Sequence, residues 1–193
     1  MSLTEFLHRV IRILDEAGVP YMLTGSLASA FYAIPRATQD LDVVIATEVG
    51  GVEEIVQGLQ KAEWYVDRNA ALKAHRTRGQ FNAIDPSSGW KVDFIIRKDR
   101  PYSRTEFDRR EQVSLLDLEV SIASLEDILI AKLEWGRLGD SSLQRRDVLQ
   151  LLERTLERID RDYVEKWVAD LDLTSEWQDA LRKLQEAKDE DKV

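Results

Sequence analysis

Asp40, Leu41 and Asp42 form a run in which two carboxylates flank one apolar residue, and Val43, Val44 and Ile45 follow directly. In a β-strand, residues i and i+2 point to the same face. Asp40 and Asp42 then stand side by side at the mouth of a strand that should enter a core. Like charges held that close repel unless a cation sits between them. Mg²⁺ is the obvious candidate, because it takes a few carboxylates and completes its shell with water and substrate phosphate oxygens. The alternative is a polar turn with two solvated aspartates. A phosphate-binding element is expected near such a pair, and Ser26, preceded by Gly25, lies fourteen residues before Asp40. Tyr21–Thr24 reads as a short strand that stops at Gly25, and a helical stretch begins near Leu27. Glycine lets backbone approach a ligand closely. A helix start offers unpaired N–H groups and a dipole that favours an anion. Ser26 could donate to a β- or γ-phosphate or cap the helix, and the two roles are compatible.

These residues resemble the signature of the nucleotidyltransferase superfamily typified by DNA polymerase beta. That signature is an apolar residue, Gly, Gly or Ser, a spacer of about ten residues, then Asp-x-Asp or Asp-x-Glu between apolar residues. The resemblance implies a third carboxylate on a neighbouring strand, and Asp93 in the run Trp90–Ile96 supplies one. It implies Asp40, Asp42 and Asp93 as catalytic ligands of Mg²⁺, with Asp93 nearest the acceptor and assisting its deprotonation. Gly25 and Ser26 would bind the nucleoside triphosphate. Arg36 and Thr38, just before the metal pair, are further nucleotide-binding candidates, although Arg36 could equally cap a loop. A later run, Ser124–Trp135 followed by Arg145, Arg146 and Asp147, is similar to the additional Asp…Lys and Arg/Asp motifs of bacterial abortive-infection toxin nucleotidyltransferases. In that likeness Lys132 would neutralise triphosphate or leaving pyrophosphate, and Asp147 would orient Lys132 or Arg146. A structural salt bridge between two helices explains Lys132 and Asp147 equally well.

Taken by itself, Asp93 is ambiguous. Lys91, Asp93 and Ile95 share one strand face, and Val92, Phe94 and Ile96 share the other. An aspartate on the more polar face can simply be solvated. Its value lies in completing three carboxylates, which two-metal nucleotidyl transfer requires. One ion lowers the pKa of the attacking hydroxyl and the other holds the triphosphate.

The elements that must position these groups follow from periodicity. Leu3–Ala17 has helical spacing, with Thr4 as a candidate cap, and Gly18 ends it before Pro20. Leu27–Ala33 reads as a second helix, Leu41–Ile45 as a buried strand, Val52–Ala62 as a third helix and Tyr65–Asp67 as an edge strand. Gln80–Asp85 and Trp90–Arg97 read as strands joined by a turn over residues 86–89. Val113–Leu116 and Leu118–Ile122 are one bent strand or two short ones. Ser124–Leu138, Gln144–Leu156, Arg161–Leu171 and Ser175–Lys188 read as helices, with Ser124 and Asp127 forming a cap. Trp64, Trp90, Trp135, Trp167 and Trp177 are expected in the core or between helices.

Composition bounds the function classes. With 44% hydrophobic and 33% charged residues, 193 residues describe an ordinary globular protein able to bury a core. There is no cysteine, hence no disulfide or thiolate chemistry, and His8 and His75 are too few for a His-rich zinc site. No apolar run approaches membrane-spanning length, and a cytoplasmic location is expected by default. The net charge of −9 argues against generic nucleic-acid binding. Local basic groups, six cationic against three acidic side chains over residues 97–110 and a second group of Arg68, Lys73, Arg76 and Arg78, suit a small polyanion better. No Walker-type phosphate loop is present.

The expected architecture is an α/β (α+β) fold: a small mixed β-sheet nucleotidyltransferase core over residues 1–122 and a helical C-terminal cap over residues 123–193. The expected function is Mg²⁺-dependent transfer of a nucleoside monophosphate from an NTP to an acceptor hydroxyl, with RNA, transfer RNA, a protein or a small molecule as acceptor. The abortive-infection likeness suggests a toxin-like enzyme. The alternative is a catalytically inactive module of the same fold, acting as a binding domain or toxin–antitoxin partner. The intact carboxylate trio argues against it, because clustered charges are costly to keep. Oligomeric state is not legible.

Overall fold

The computed structural model describes residues 1–33, 40–139 and 141–190. Helix α1 (Leu3–Glu16) starts from a reciprocal cap in which the Ser2 hydroxyl accepts from the Glu5 N–H and the Glu5 carboxylate accepts from the Ser2 N–H. Thr4, the capping candidate of the sequence, lies inside the helix, because only Ser2 stands three residues before a glutamate. Strand β1 (Tyr21–Thr24) leads directly into α2 (Gly25–Tyr32), and β2 (Asp40–Ile45) is followed by α3 (Val49–Lys61). The chain continues through β3 (Tyr65–Val66), α4 (Arg68–Thr77), β4 (Gln80–Ile84), β5 (Lys91–Ile96), α5 (Pro101–Asp108), β6 (Glu111–Leu115) and β7 (Leu118–Ile122). Four helices close it: α6 (Leu125–Leu138), α7 (Ser142–Thr155), α8 (Arg161–Asp170) and α9 (Thr174–Glu190).

The chain divides into two compact units. The first holds Met1–Ala28 and the described part of Arg36–Ala123, and the second holds the described parts of Ser124–Val193 and Ser29–Pro35. The first unit carries a mixed seven-stranded sheet in the order β3-β4-β5-β2-β1-β7-β6. At its centre β2 runs parallel to β5 and antiparallel to β1. Neighbours in register point to the same face. On one face Leu41, Val43 and Ile45 therefore lie against Val92, Phe94 and Ile96, and Phe81 stacks on Phe94 at 5.0 Å. All of these are buried, which locks the register, since a one-residue slip would turn the whole apolar set to the opposite face. Helix α1 buries Phe6, Leu7, Val10, Ile11, Ile13 and Leu14, and Gly58 lets α3 come close to Ile13.

The β6–β7 connection resolves into two strands rather than one bent strand. Leu116 and Asp117 both take positive φ, 52° and 63°, which is the two-residue turn that matches the strands' twist. Helices α4 and α5 carry no apolar stripe that periodicity would reveal. Helix α4 buries only Ala71 and Ala74, and its legible signal is the Asp67 cap, whose carboxylate accepts from Asn69 and Ala70 N–H. Helix α5 is announced by Pro101 in its first turn.

In the second unit Ser124 caps α6 by accepting from the Asp127 N–H. The fully buried Asp127 accepts from Ser124 Oγ at 2.7 Å and from Tyr163 Oη at 2.8 Å, and Glu126 accepts from the Asp160 N–H at 2.9 Å. Two buried carboxylates thus fasten α6 to the start of α8. Trp167 and Trp177 are buried in this unit, as Trp64 is in the first, and Trp90 stacks on Phe6 at 5.4 Å. Trp135 departs from the expectation: it is 46% exposed, in the last turn of α6. No helix among the described residues is long and apolar enough to cross a membrane.

One buried ion pair ties the turn between β4 and β5 to α1. Asp85, 2% exposed, accepts from Arg9 Nη1 at 3.0 Å, from the N–H and Oγ of Ser87 at 3.0 and 2.7 Å, and from Ser88 Oγ at 3.0 Å. Burial raises its carboxyl, and the Ser87 and Ser88 bonds with the Arg9 charge outweigh this, so its pKa lies below the ordinary range. A depressed carboxyl contributes stability that is present above the unfolded pKa and lost as pH falls through the folded one. Asp85→Asn should therefore destabilise the protein by about 1–3 kcal/mol at pH 7, with the gap to wild type narrowing below about pH 4. Urea unfolding at pH 7 and pH 3 measures both, and a gap independent of pH would assign Asp85 a packing role only.

Candidate active site

The sheet face opposite the Phe81–Phe94 core is polar at its centre. The register Asp40↔Lys91 and Asp42↔Asp93 places Asp40, Asp42, Asp93 and Lys91 on one face of β2 and β5. Thr24 on β1 pairs with Asp42, and Asn82 on β4 pairs with Asp93, so Thr24, Asp42, Asp93 and Asn82 make a row across four strands. The three sequence-predicted carboxylates thus share one face, and β2–β5 pairing brings Asp40 and Asp93 together although they are 53 positions apart.

Their surroundings differ. Asp40 is exposed, its side chain 56% accessible, whereas that of Asp93 is only 14% accessible. Asp42 is the most constrained. Its pKa is raised above the ordinary carboxylate range, first by burial and then by the charge on Asp93, with Asp40 adding to the effect. The Ser26 N–H donates to Asp42 and works in the opposite direction, as does Lys91. Lys91 Nζ lies 2.9 Å from Asp93 Oδ2 and 3.6 Å from Asp40 Oδ1. Its hydrogen bond to Asp93 and the neighbouring charges hold it above the usual lysine range, so it stays an ammonium. Strand alternation alone places Lys91 beside Asp93, yet sequence reasoning assigned it no role. Its signal was the Asp40↔Lys91 register, which exists only once the two strands are paired.

Gly25 and Ser26 stand at the junction of β1 and α2. Gly25 has φ +64°, and a Cβ built on it would lie 1.9 Å from Asp42 Oδ2 and 2.8 Å from Asp42 Cβ. Only glycine fits, for the backbone conformation and for the space. The start of α2 is therefore pressed against the carboxylate, and the Ser26 N–H is bonded to Asp42. Arg36 and Thr38 lie outside the described residues.

Oxygen-only donors on one face suit a hard divalent cation, and burial together with the Asp93 charge makes the charged form of Asp42 costly without one. Among the described residues no three His, Cys, Asp or Glu side chains stand as a ready-made metal cage. Lys91 Nζ bridges two of the carboxylates instead. The donor set fits the ion, and the arrangement is that of a site holding its own cation.

Lys132 and Asp147 belong to the helical unit. Lys132 is 4% exposed, and its Nζ donates to Asp147 Oδ2 at 2.8 Å and to Gln144 Oε1 at 3.4 Å, joining α6 to α7. The geometry supports the inter-helix ion pair. The pair borders a cavity of ≈ 370 Å³ whose wall includes Leu133, Val148 and Ala180. The basic run over residues 97–110 is engaged locally: Arg104 pairs with Asp99, and Arg97 and Arg110 lie 5.6 and 4.4 Å from the Phe107 ring. In the second basic group Arg68 pairs with Glu53, while His75 Nε2 lies 3.1 Å from the Thr47 carbonyl.

Solved structures share this architecture. ANT(2″)-Ia in complex with adenylyl-2″-tobramycin superposes with a TM-score of 0.58 at 15% identity, covering 92% of this chain and 99% of that one. An antigenic nucleotidyltransferase-like protein from Paracoccidioides brasiliensis gives 0.56 at 16% identity, covering 91% and 92%. The lincosamide antibiotic adenylyltransferase LnuA, lincomycin-bound, gives 0.52 at 11% identity, covering 78% and 96%. The chain has the nucleotidyltransferase fold. No protein-family model and no curated protein sequence matches it. At these identities the likeness is one of fold, so what the nucleotidyltransferase sheet does in this chain must be argued from its own residues.

Two substitutions test the geometry. Gly25→Ala forces a positive-φ alanine against Asp42 and should cost about 1–3 kcal/mol. Thermal unfolding reads it, and a neutral result would mean that the β1–α2 junction can relax. Lys132→Ala takes the ammonium from the buried Asp147 carboxylate and should cost about 3–5 kcal/mol, whereas Lys132→Met with Asp147→Leu should recover most of it. Urea unfolding of the single and double variants gives the comparison, and a double variant as unstable as the single one would contradict the ion-pair account.

Proposed function

We propose that the protein is a nucleotidyltransferase that moves a nucleoside monophosphate from an NTP to an acceptor hydroxyl. The observation that carries the reading is the register Asp42↔Asp93 with Asp40 on the same face, set against the glycine-opened start of α2. The nucleotidyltransferase fold of the solved neighbours supports it.

Asp40, Asp42 and Asp93 would hold Mg²⁺, which when bound supplies charge neutralisation at the triphosphate and acidifies the acceptor hydroxyl. The rest is positioning by the chain. The start of α2, with Gly25 leaving the backbone bare, presents N–H groups towards phosphate oxygens. Asp93, the better shielded of the two outer carboxylates, accepts the acceptor's proton at a carboxylate oxygen. The acceptor oxygen then forms its bond to the α-phosphorus as the bond from that phosphorus to the bridging oxygen of pyrophosphate breaks, in line. In this reading Lys132 is a structural cation of the helical unit, buried and satisfied by Asp147 and Gln144.

Two of the fold neighbours are named for small antibiotic molecules, tobramycin as its adenylyl derivative and lincomycin. That supports a small-molecule acceptor, while the RNA reading rests on a motif likeness whose Lys132 is here engaged by Asp147 and Gln144. Incubation with each labelled NTP, Mg²⁺ and separate pools of small metabolites, RNA and protein names the acceptor class by where label appears. Asp42→Asn should lower transfer by about a thousandfold or more, since it removes a central ligand. It should leave the metal-free protein as stable as wild type or up to about 1 kcal/mol more stable, because one member of a repelling cluster is gone. Near-normal transfer by Asp42→Asn would overturn the assignment. Nucleotide binding without label in any pool would favour a binding module.

A further inference from the structure

We infer that Lys91 is a tethered counter-ion that occupies the divalent cation's place between Asp40 and Asp93 and must leave for that cation to bind. The inference rests on the nucleotidyl-transfer reading of the same face.

Three observations lead to it. Lys91 sits two residues before Asp93 on β5 and directly opposite Asp40 on β2, so its stem rises from the carboxylate face itself. Its Nζ contacts a carboxylate oxygen on each strand, at 2.9 Å and 3.6 Å. The three carboxylates share the face with this ammonium and are not drawn together as a metal cage among the described residues. The charge arithmetic explains the arrangement. Three carboxylates carry three negative charges on a half-buried face, and one ammonium removes one of them. A divalent ion held by Asp40 and Asp93 would compete with the Lys91 ammonium for the same carboxylates, and two cations a few ångströms apart repel. The lysine can yield: its side chain is 32% exposed, and its ammonium rides on a flexible four-carbon stem. Lys91 thus keeps the metal-free face together and sets a threshold that the divalent ion must exceed. It positions the carboxylates rather than touching the reacting atoms.

The test is Mn²⁺ binding by titration calorimetry on the full chain, comparing wild type, Lys91→Met, Lys91→Arg and Asp42→Asn. Lys91→Met should bind Mn²⁺ about tenfold or more tightly than wild type, because a charge within a few ångströms changes such equilibria by roughly one to three decades. Lys91→Arg keeps the charge and should stay within about threefold of wild type. In EDTA, Lys91→Met should melt below wild type, and saturating Mn²⁺ should raise its melting temperature more than that of wild type. Lys91→Gln substitutes if the methionine variant does not fold. Equal or weaker Mn²⁺ binding by Lys91→Met, with binding lost in Asp42→Asn, overturns the role of Lys91 and leaves the metal-site reading standing. Absence of Mn²⁺ binding in wild type and Lys91→Met alike overturns both.

Discussion

The parallel register of β2 with β5 is the constraint on which the rest depends. It is fixed by an apolar set, Leu41, Val43 and Ile45 against Val92, Phe94 and Ile96, that lies wholly on one face. The alternation of a strand then leaves no choice for the other face: Asp40, Asp42, Lys91 and Asp93 must come together. The core therefore supplies the energy that holds like charges side by side. Those charges would separate if the sheet did not gain more from its buried face than it loses to their repulsion.

The crowding explains the local backbone. Asp42 is pushed up by burial and by Asp93, so any group that eases its charge is favoured there. Strand β1 ends at Thr24, its register partner, and the chain turns at once into α2 through a glycine with positive φ. That turn delivers the Ser26 N–H to the carboxylate, and it is possible only because position 25 has no Cβ to meet Asp42. A helix that starts immediately after a strand, without a separate capping loop, is the local cost of placing an N–H donor beside a buried aspartate.

Much of this was legible in the sequence. Strand periodicity announced β1, β2, β4 and β5, and two aspartates at i and i+2 announced a carboxylate face. Gly25 was legible too, because a glycine between a strand and a helix implies close backbone approach. Three things were not. Helix α4 buries only alanines and α5 has eight residues, so neither shows a stripe of apolar positions. The bridging role of Lys91 depends on which residue of β2 stands opposite it, a fact of register that no single strand contains. The state of Lys132 depends on Gln144 and Asp147 reaching it from the next helix, and a lysine in an apolar helical run reads the same whether it is partnered or functional.

The same charges also satisfy one another when the face is alone. Among the described residues, two groups that would address a metal–nucleotide complex already have an internal partner of the complementary kind. Lys91 stands in for a cation at Asp40 and Asp93, and the Asp42 carboxylate stands in for an anion at the Ser26 N–H. A lone anion arriving at α2 would face three carboxylates, and a lone cation arriving at the carboxylates would face an ammonium. Only a ligand that brings positive and negative charge together can replace both sets of contacts without leaving a buried charge unanswered. On the proposed reading, a preference for a metal-bound polyphosphate over either component would follow from how the free protein satisfies itself.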